Sequence, residues 1–158
     1  MTLVLYDVEN IKTAKSNVSK KSRMFNFLDL KEKIERVVGD KCVHVAFMSI
    51  YNDGTFRFSK LLQAYGIQVI AKKTGLKKSN YKGMEYQYYD NDTDALIVHY
   101  MVKYGDSYDT VVLVSGDKDL SGPFSELSAL KIAIAWKDNM SKKMVSVANQ
   151  VFYLDDLI

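Results

Sequence analysis

Apolar residues fall into short runs separated by polar segments, and the spacing within segments switches between the strand period and the helix period. Thr2 to Tyr6 is a continuous β-prone run ending at Asp7, and after a polar stretch Leu28, Leu30, Ile34, Val37 and Val38 repeat at helical intervals. Val43 to Ile50 is a second apolar run. Asn52-Asp53-Gly54 then marks a turn, and Phe56 to Tyr65 returns to the helical period before Gly66 closes it. Ile67 to Ala71 predicts a third strand, whereas Lys72 to Tyr89 follows neither period and predicts a loop or lid.

Further on, Asp92, Thr93 and Asp94 supply helix-start signals ahead of Leu96, Ile97, Val98, Tyr100 and Met101, with Gly105 as the C-cap. Thr110 to Val114 is a buried-type strand, and Pro123 suits the first turn of a helix carrying Phe124, Leu127 and Leu130. Ile132 to Trp136 predicts another strand, Ser141 to Ala148 a short helix, and Gln150 to Leu154 a final strand. Strand and helix alternate throughout, which predicts an α/β fold with a mostly parallel sheet, helices on both of its faces, and one domain over residues 1–158.

Composition changes the picture little: 47% hydrophobic and 26% charged residues describe an ordinary globular chain. No apolar run approaches membrane-spanning length, and Met1 to Asn10 is strand-like and acidic where a secretory signal would be basic and then apolar. A soluble, cytoplasmic protein is expected. The one cysteine, Cys42, lies in an apolar stretch and is expected to be a small buried core residue, and a single cysteine excludes a disulfide framework and a cysteine-based zinc site. A net charge of +3 decides nothing, but the charges are segregated.

Ligands of parallel α/β sheets bind beyond the carboxyl ends of the strands, where the strand order reverses. Asp7 directly follows the first strand, and Asp117 and Asp119 follow the strand at Val111 to Val114 through Ser115-Gly116. Helices run antiparallel to the strands here, so Asp92 and Asp94 at the start of the third helix belong to that same edge. Taken singly, each aspartate reads as a turn cap or a helix N-terminal acid. Gathered at the ligand edge, they read as a set. Anions crowded without cationic partners raise one another's pKa and oppose folding, and a divalent cation with oxygen ligands relieves that. Carboxylate-only ligation by Asp7, Asp92, Asp94, Asp117 and Asp119 favours Mg²⁺ or Mn²⁺ over zinc. Such ions suit phosphodiester hydrolysis without a nucleophilic side chain.

Asp7-Val8-Glu9-Asn10 after the first strand, Asp94 on a helix, and Ser115-Gly116-Asp117-Lys118-Asp119 resemble the motifs of the NYN family of PIN-like domains. The resemblance implies a three-layer α/β/α, Rossmann-like fold with five to six central strands and a metal-dependent endoribonuclease activity. It implies that Asp7, Asp94, Asp117 and Asp119 are catalytic and hold the metal, that Asn10 positions a ligand or an acid, and that Ser115 shapes the turn. Two positions depart from the family. Asn91-Asp92-Thr93 precedes Asp94 where a basic residue is common, and Tyr100 stands where the helix often carries a second aspartate.

Two lysine-rich segments follow strands of the proposed sheet: Lys12, Lys15, Lys20, Lys21 and Arg23, then Lys72, Lys73, Lys77, Lys78 and Lys82. Their charges suit a phosphate backbone, and Tyr81 and Tyr86, with Tyr88 and Tyr89 nearby, could stack on exposed bases. Single-stranded RNA is the expected partner ahead of DNA. A plain solubilising role for the lysines, with the tyrosines in the core or at a homodimer contact, is the competing reading. His44 and His99 have no partners at metal-ligand spacing and read as structural. The rival functions are an RNA- or protein-binding module of the same fold with weak or lost catalysis and, more distantly, a haloacid-dehalogenase-like phosphatase, whose Asp-x-Asp-x-Thr is absent here.

Overall fold

The computed structural model describes residues 1–13, 25–74, 76–89 and 92–158; at 76, 77, 81, 86, 88 and 89 the description is of the backbone alone. The chain opens with β1 (Thr2–Asp7) and α1 (Val8–Lys12), and continues through α2 (Phe27–Val38), β2 (Cys42–Ile50), α3 (Asp53–Ala64) and β3 (Gln68–Lys73). A hairpin of β4 (Leu76–Tyr81) and β5 (Met84–Tyr89) precedes α4 (Asp94–Tyr104) and β6 (Thr110–Val114). The remainder is α5 (Ser121–Ser125), β7 (Leu130–Ala135), α6 (Lys142–Val147), β8 (Gln150–Tyr153) and α7 (Leu154–Leu157).

Six strands form one sheet in the order β3-β2-β1-β6-β7-β8, and every pairing in it is parallel. Both faces are covered, so the central strands are apolar without interruption: every residue of β1 from Thr2 to Tyr6 is fully buried. Alternation splits them between two cores. Val4 and Tyr6 pack with Leu30 and Ile34 of α2 and Leu62 of α3, whereas Leu3 and Leu5 pack with Ile97 and Met101 of α4 and Met144 of α6. The expected three layers are present.

Local chemistry sets the helix ends. Asn26 accepts from Leu28 N at the start of α2, which stops at Gly39 in the left-handed conformation. Asn52 and Thr55 cap the start of α3 reciprocally. Gly105, by contrast, is right-handed and no left-handed cap. A Cβ there would come within 2.7 Å of a Leu127 methyl, so a larger residue would require Leu127 to shift.

The segment from Lys72 to Tyr89, expected as a loop or lid, instead completes β3 and forms the antiparallel β4–β5 hairpin. Its two-residue turn has positive φ at Lys82 and Gly83, the geometry that matches strand twist. The ribbon stands apart from the main sheet, so no apolar alternation announces it. Three smaller differences concern element boundaries. Val8–Lys12 after Asp7 form α1, Leu130 begins β7 where a helix was expected to continue, and the last residues wind into α7. Among the described residues, no helix is long and apolar enough to cross a membrane.

Candidate active site

The sheet order reverses at β1: the chain moves outward through β2 and β3, then returns to place β6 on the other side of β1. Crevices form at such a reversal, beyond the carboxyl ends of the two strands. Tyr6 pairs with Val114, so Asp7 and Ser115 leave the sheet at the same level. Both continue the Leu5 and Leu113 alternation and therefore face α4.

Asp7 is nearly buried, at 4% exposed. Its Oδ2 accepts from the Ser115 hydroxyl at 2.8 Å, and its Oδ1 accepts from the Asn10 backbone N–H at 3.4 Å, capping α1. Asn10 in turn accepts, through its side-chain oxygen, from Gly116 N at 3.1 Å, and Asp117 N donates to the Ser115 hydroxyl. Asp117 caps the short turn behind it, accepting from Asp119 N at 2.9 Å. Across the crevice, Asp94 opens α4 and donates its backbone N–H to Asp92 Oδ1 at 2.9 Å.

These elements bring one carboxylate oxygen each from Asp7, Asp94 and Asp117 within 4.8 Å of one another. They line a cleft of about 320 Å³, together with Glu9, Asn10 and Thr13 on one side and Asp92 and Thr93 on the other. Among the described residues, no lysine or arginine forms an ion pair with any of the three. Burial, resisted by the Ser115 and Asn10 hydrogen bonds and reinforced by Asp117 and Glu9, pushes the Asp7 carboxyl up to about 6. Burial also pushes Asp94 up to about 7, with Asp117, Asp92 and Asp7 adding repulsion. Three close carboxylates without thiolate or imidazole are a hard-oxygen donor set, which suits Mg²⁺ or Mn²⁺.

Not every expected residue joins this group. Asp119 is exposed and contributes only its backbone N–H to the turn, while Asp92 lies at the rim of the cleft. Lys12 lays its ammonium over the Phe58 ring at 3.5 Å, and Lys72 donates to the Asp92 carbonyl at 3.1 Å. Lys73, Lys78 and Lys82 are exposed on β3 and the hairpin, Lys78 lying 3.7 Å from Glu85. Lys15, Lys20, Lys21 and Arg23 lie outside the described residues, as do the side chains of Lys77, Tyr81 and Tyr86. His44 is held by Tyr6 Oη at 2.9 Å and Glu35 at 2.8 Å, and His99 lies in a separate apolar hollow along α4 with Val98 and Val102.

Glu9 also belongs to this site, although nothing in the sequence pattern assigns it there. It lines the cleft, and its carboxyl is raised by burial. The helical turn that carries it was the missing signal, because a loop reading gives Glu9 no fixed direction.

The family described as NYN domain matches residues 1–155. Among solved structures, a protein of unknown function from Vibrio parahaemolyticus is similar at a TM-score of 0.71 and 20% identity, over 98% of this chain and 93% of that one. That likeness concerns the fold. No curated protein matches the chain by sequence.

Proposed function

Because the chain belongs to the NYN domain family, a family of PIN-like nucleases, we propose that it is a metal-dependent endoribonuclease cutting single-stranded RNA, built as one domain over residues 1–158 and acting in the cytoplasm. One observation carries this reading: Asp7, Asp94 and Asp117 converge without a cationic partner among the described residues. A cluster so repulsive is a poor structural device, and it is well suited to a cation with oxygen ligands.

Asp7, Asp94 and Asp117 would hold Mg²⁺ or Mn²⁺ in this reading. Bound there, such an ion supplies charge neutralisation at the phosphoryl oxygens and acidifies a water. The chain's own residues do the rest. Ser115 and Asn10 fix the Asp7 carboxylate, so the donor set is formed before substrate arrives. Asp117 is fixed through the turn it caps. Glu9 adds a further acid at the cleft wall, able to accept a proton from an attacking water. The lysines of β3 and the hairpin bind phosphates flanking the scissile bond, with the hairpin tyrosines as stacking surfaces.

A second reading has its own support. Tyr100 packs edge-on against Phe47 at 5.7 Å and close to Tyr104, so α4 offers no second acid at that position. This favours a binding module with weak or absent catalysis. Cleavage of single-stranded RNA with Mg²⁺ or Mn²⁺ separates the two. The nuclease reading expects cleavage that stops with chelator and stops again in a folded Asp117→Asn variant. RNA binding without metal-dependent cleavage would establish the module instead.

A further inference from the structure

The turn after β7 reaches both loops that carry the acidic cluster, although none of its residues lines the cleft. The Trp136 carbonyl accepts from Asn139 N and Met140 N, both at 3.0 Å, which closes the turn tightly. From it, the Asn139 side-chain amide donates to the carbonyls of Asn10 at 3.2 Å and Thr13 at 3.4 Å. These carbonyls lie at the end of α1, where helix carbonyls lack an i+4 amide partner, and the Asn10 carbonyl also accepts from the Thr13 hydroxyl at 3.3 Å. The same turn closes over the other loop. Ser141 N donates to the Gly116 carbonyl at 3.0 Å, and a Cβ at Gly116 would overlap the Asn139 carbonyl. Gly116 therefore has to be glycine for Asn139 to sit there. Beneath this contact, the buried Trp136 indole N–H donates to the Ile11 carbonyl at 2.7 Å.

We propose that Asn139 is a positioning residue that locks α1 and the Ser115-Gly116-Asp117 turn together, setting the spacing of the Asp7 and Asp117 carboxylates and hence the cleft's affinity for a divalent cation. The locking itself stands on hydrogen bonds alone, and only its consequence for the cation rests on the function proposed above. The direct links between the two loops, Gly116 N to Asn10 Oδ1 and Ser115 Oγ to Asp7, are few and lie on the cleft side of both loops. Asn139 ties the end of α1 to the turn that closes over Gly116, so without it the end of α1 is held there only by those links and by the Trp136 bond to Ile11.

Two readouts on three variants of the whole chain test this. Asn139→Ala removes the amide. Asn139→Asp keeps its shape but replaces both N–H donors with an oxygen facing carbonyls. Lys137→Ala changes the same turn at a residue whose side chain reaches Asp156 and the Tyr153 ring, away from both loops. Amide hydrogen exchange at Gly116, read without metal, should quicken roughly tenfold in both Asn139 variants and stay unchanged in Lys137→Ala. Mn²⁺ affinity, read by calorimetry, should fall roughly tenfold in the same two variants.

If Asn139→Asp behaves like the parent, shape and not donation matters, and the proposal is overturned. It is equally overturned if Asn139→Ala lowers thermal stability while Gly116 exchange and Mn²⁺ affinity stay at parental values. If the parent chain itself binds no Mn²⁺, the metal reading of the cleft fails, and Gly116 exchange still decides whether Asn139 locks the loops.

Discussion

The cleft and the hairpin are built on opposite principles. In the cleft, polar groups are placed by other polar groups: Asp7 by Ser115 and Asn10, and Asn10 by Gly116. At the hairpin, the described charges are exposed, and the Lys78 and Glu85 side chains face each other at 3.7 Å while 66% and 64% exposed. Such a pair contributes little to stability. A cluster fixed by buried hydrogen bonds gives directional chemistry, whereas an exposed lysine ribbon gives affinity that salt can screen. Damage to the cleft should therefore abolish turnover and spare binding, and damage to the hairpin should do the reverse.

The largest expected effect is in the cleft. Asp117→Asn should slow single-turnover cleavage by about two to three orders of magnitude, while fluorescence anisotropy shows RNA binding close to that of the parent. Equal losses in both measurements would dissolve the distinction between the two regions.

Next comes pH. The folded Asp7 carboxyl titrates near 6, above its unfolded value, so between these values the folded chain holds a proton that the unfolded chain has lost. Stability contributed by Asp7 is thus present at low pH and lost as pH rises through that window, by roughly 3 kcal/mol in all. His44, whose pKa is lowered chiefly by burial, acts in the opposite direction, so the comparison needs Asp7→Asn. Urea unfolding in chelator should show the parent losing stability from pH 4 to pH 7 relative to that variant, with Mn²⁺ restoring it at pH 7. A parent that tracks Asp7→Asn across this range would remove the claim that burial holds the Asp7 carboxyl above its ordinary value.

Smaller changes sharpen the hairpin side. Lys78→Glu combined with Lys82→Glu should weaken RNA binding and flatten its dependence on log salt by about 0.7 per lost phosphate contact, leaving cleavage of saturating substrate intact. An unaltered slope would take the hairpin out of the interface. Smallest of all, Asp119→Asn should change cleavage by no more than about threefold, since its backbone N–H serves the turn and its side chain is exposed. A loss as large as that of Asp117→Asn would put Asp119 into the metal set.

Legibility in the sequence followed burial. Strands such as Val43 to Ile50 and Thr110 to Val114 announce themselves because both faces are covered, and the aspartates that end strands inherit a location from them. Asp7 and Asp117 were readable for that reason, and Asp94 because helix direction in this architecture is fixed. The hairpin was not readable, since a ribbon outside the main sheet has no core to imprint a period. Glu9 depended on α1, a five-residue helix too short to show a period. Asn139 was beyond reach. Its partners Asn10 and Thr13 are more than a hundred positions away, and it meets them through their backbone carbonyls, which carry no residue-type signal.

The most direct test of the central claim is a crystal of the parent protein soaked in Mn²⁺ and measured at the manganese absorption edge. The anomalous map is predicted to show a peak among the carboxylates of Asp7, Asp94 and Asp117, absent from Asp117→Asn crystals treated alike. No peak there at millimolar Mn²⁺, or three carboxylates turned away from a common point, would contradict the account.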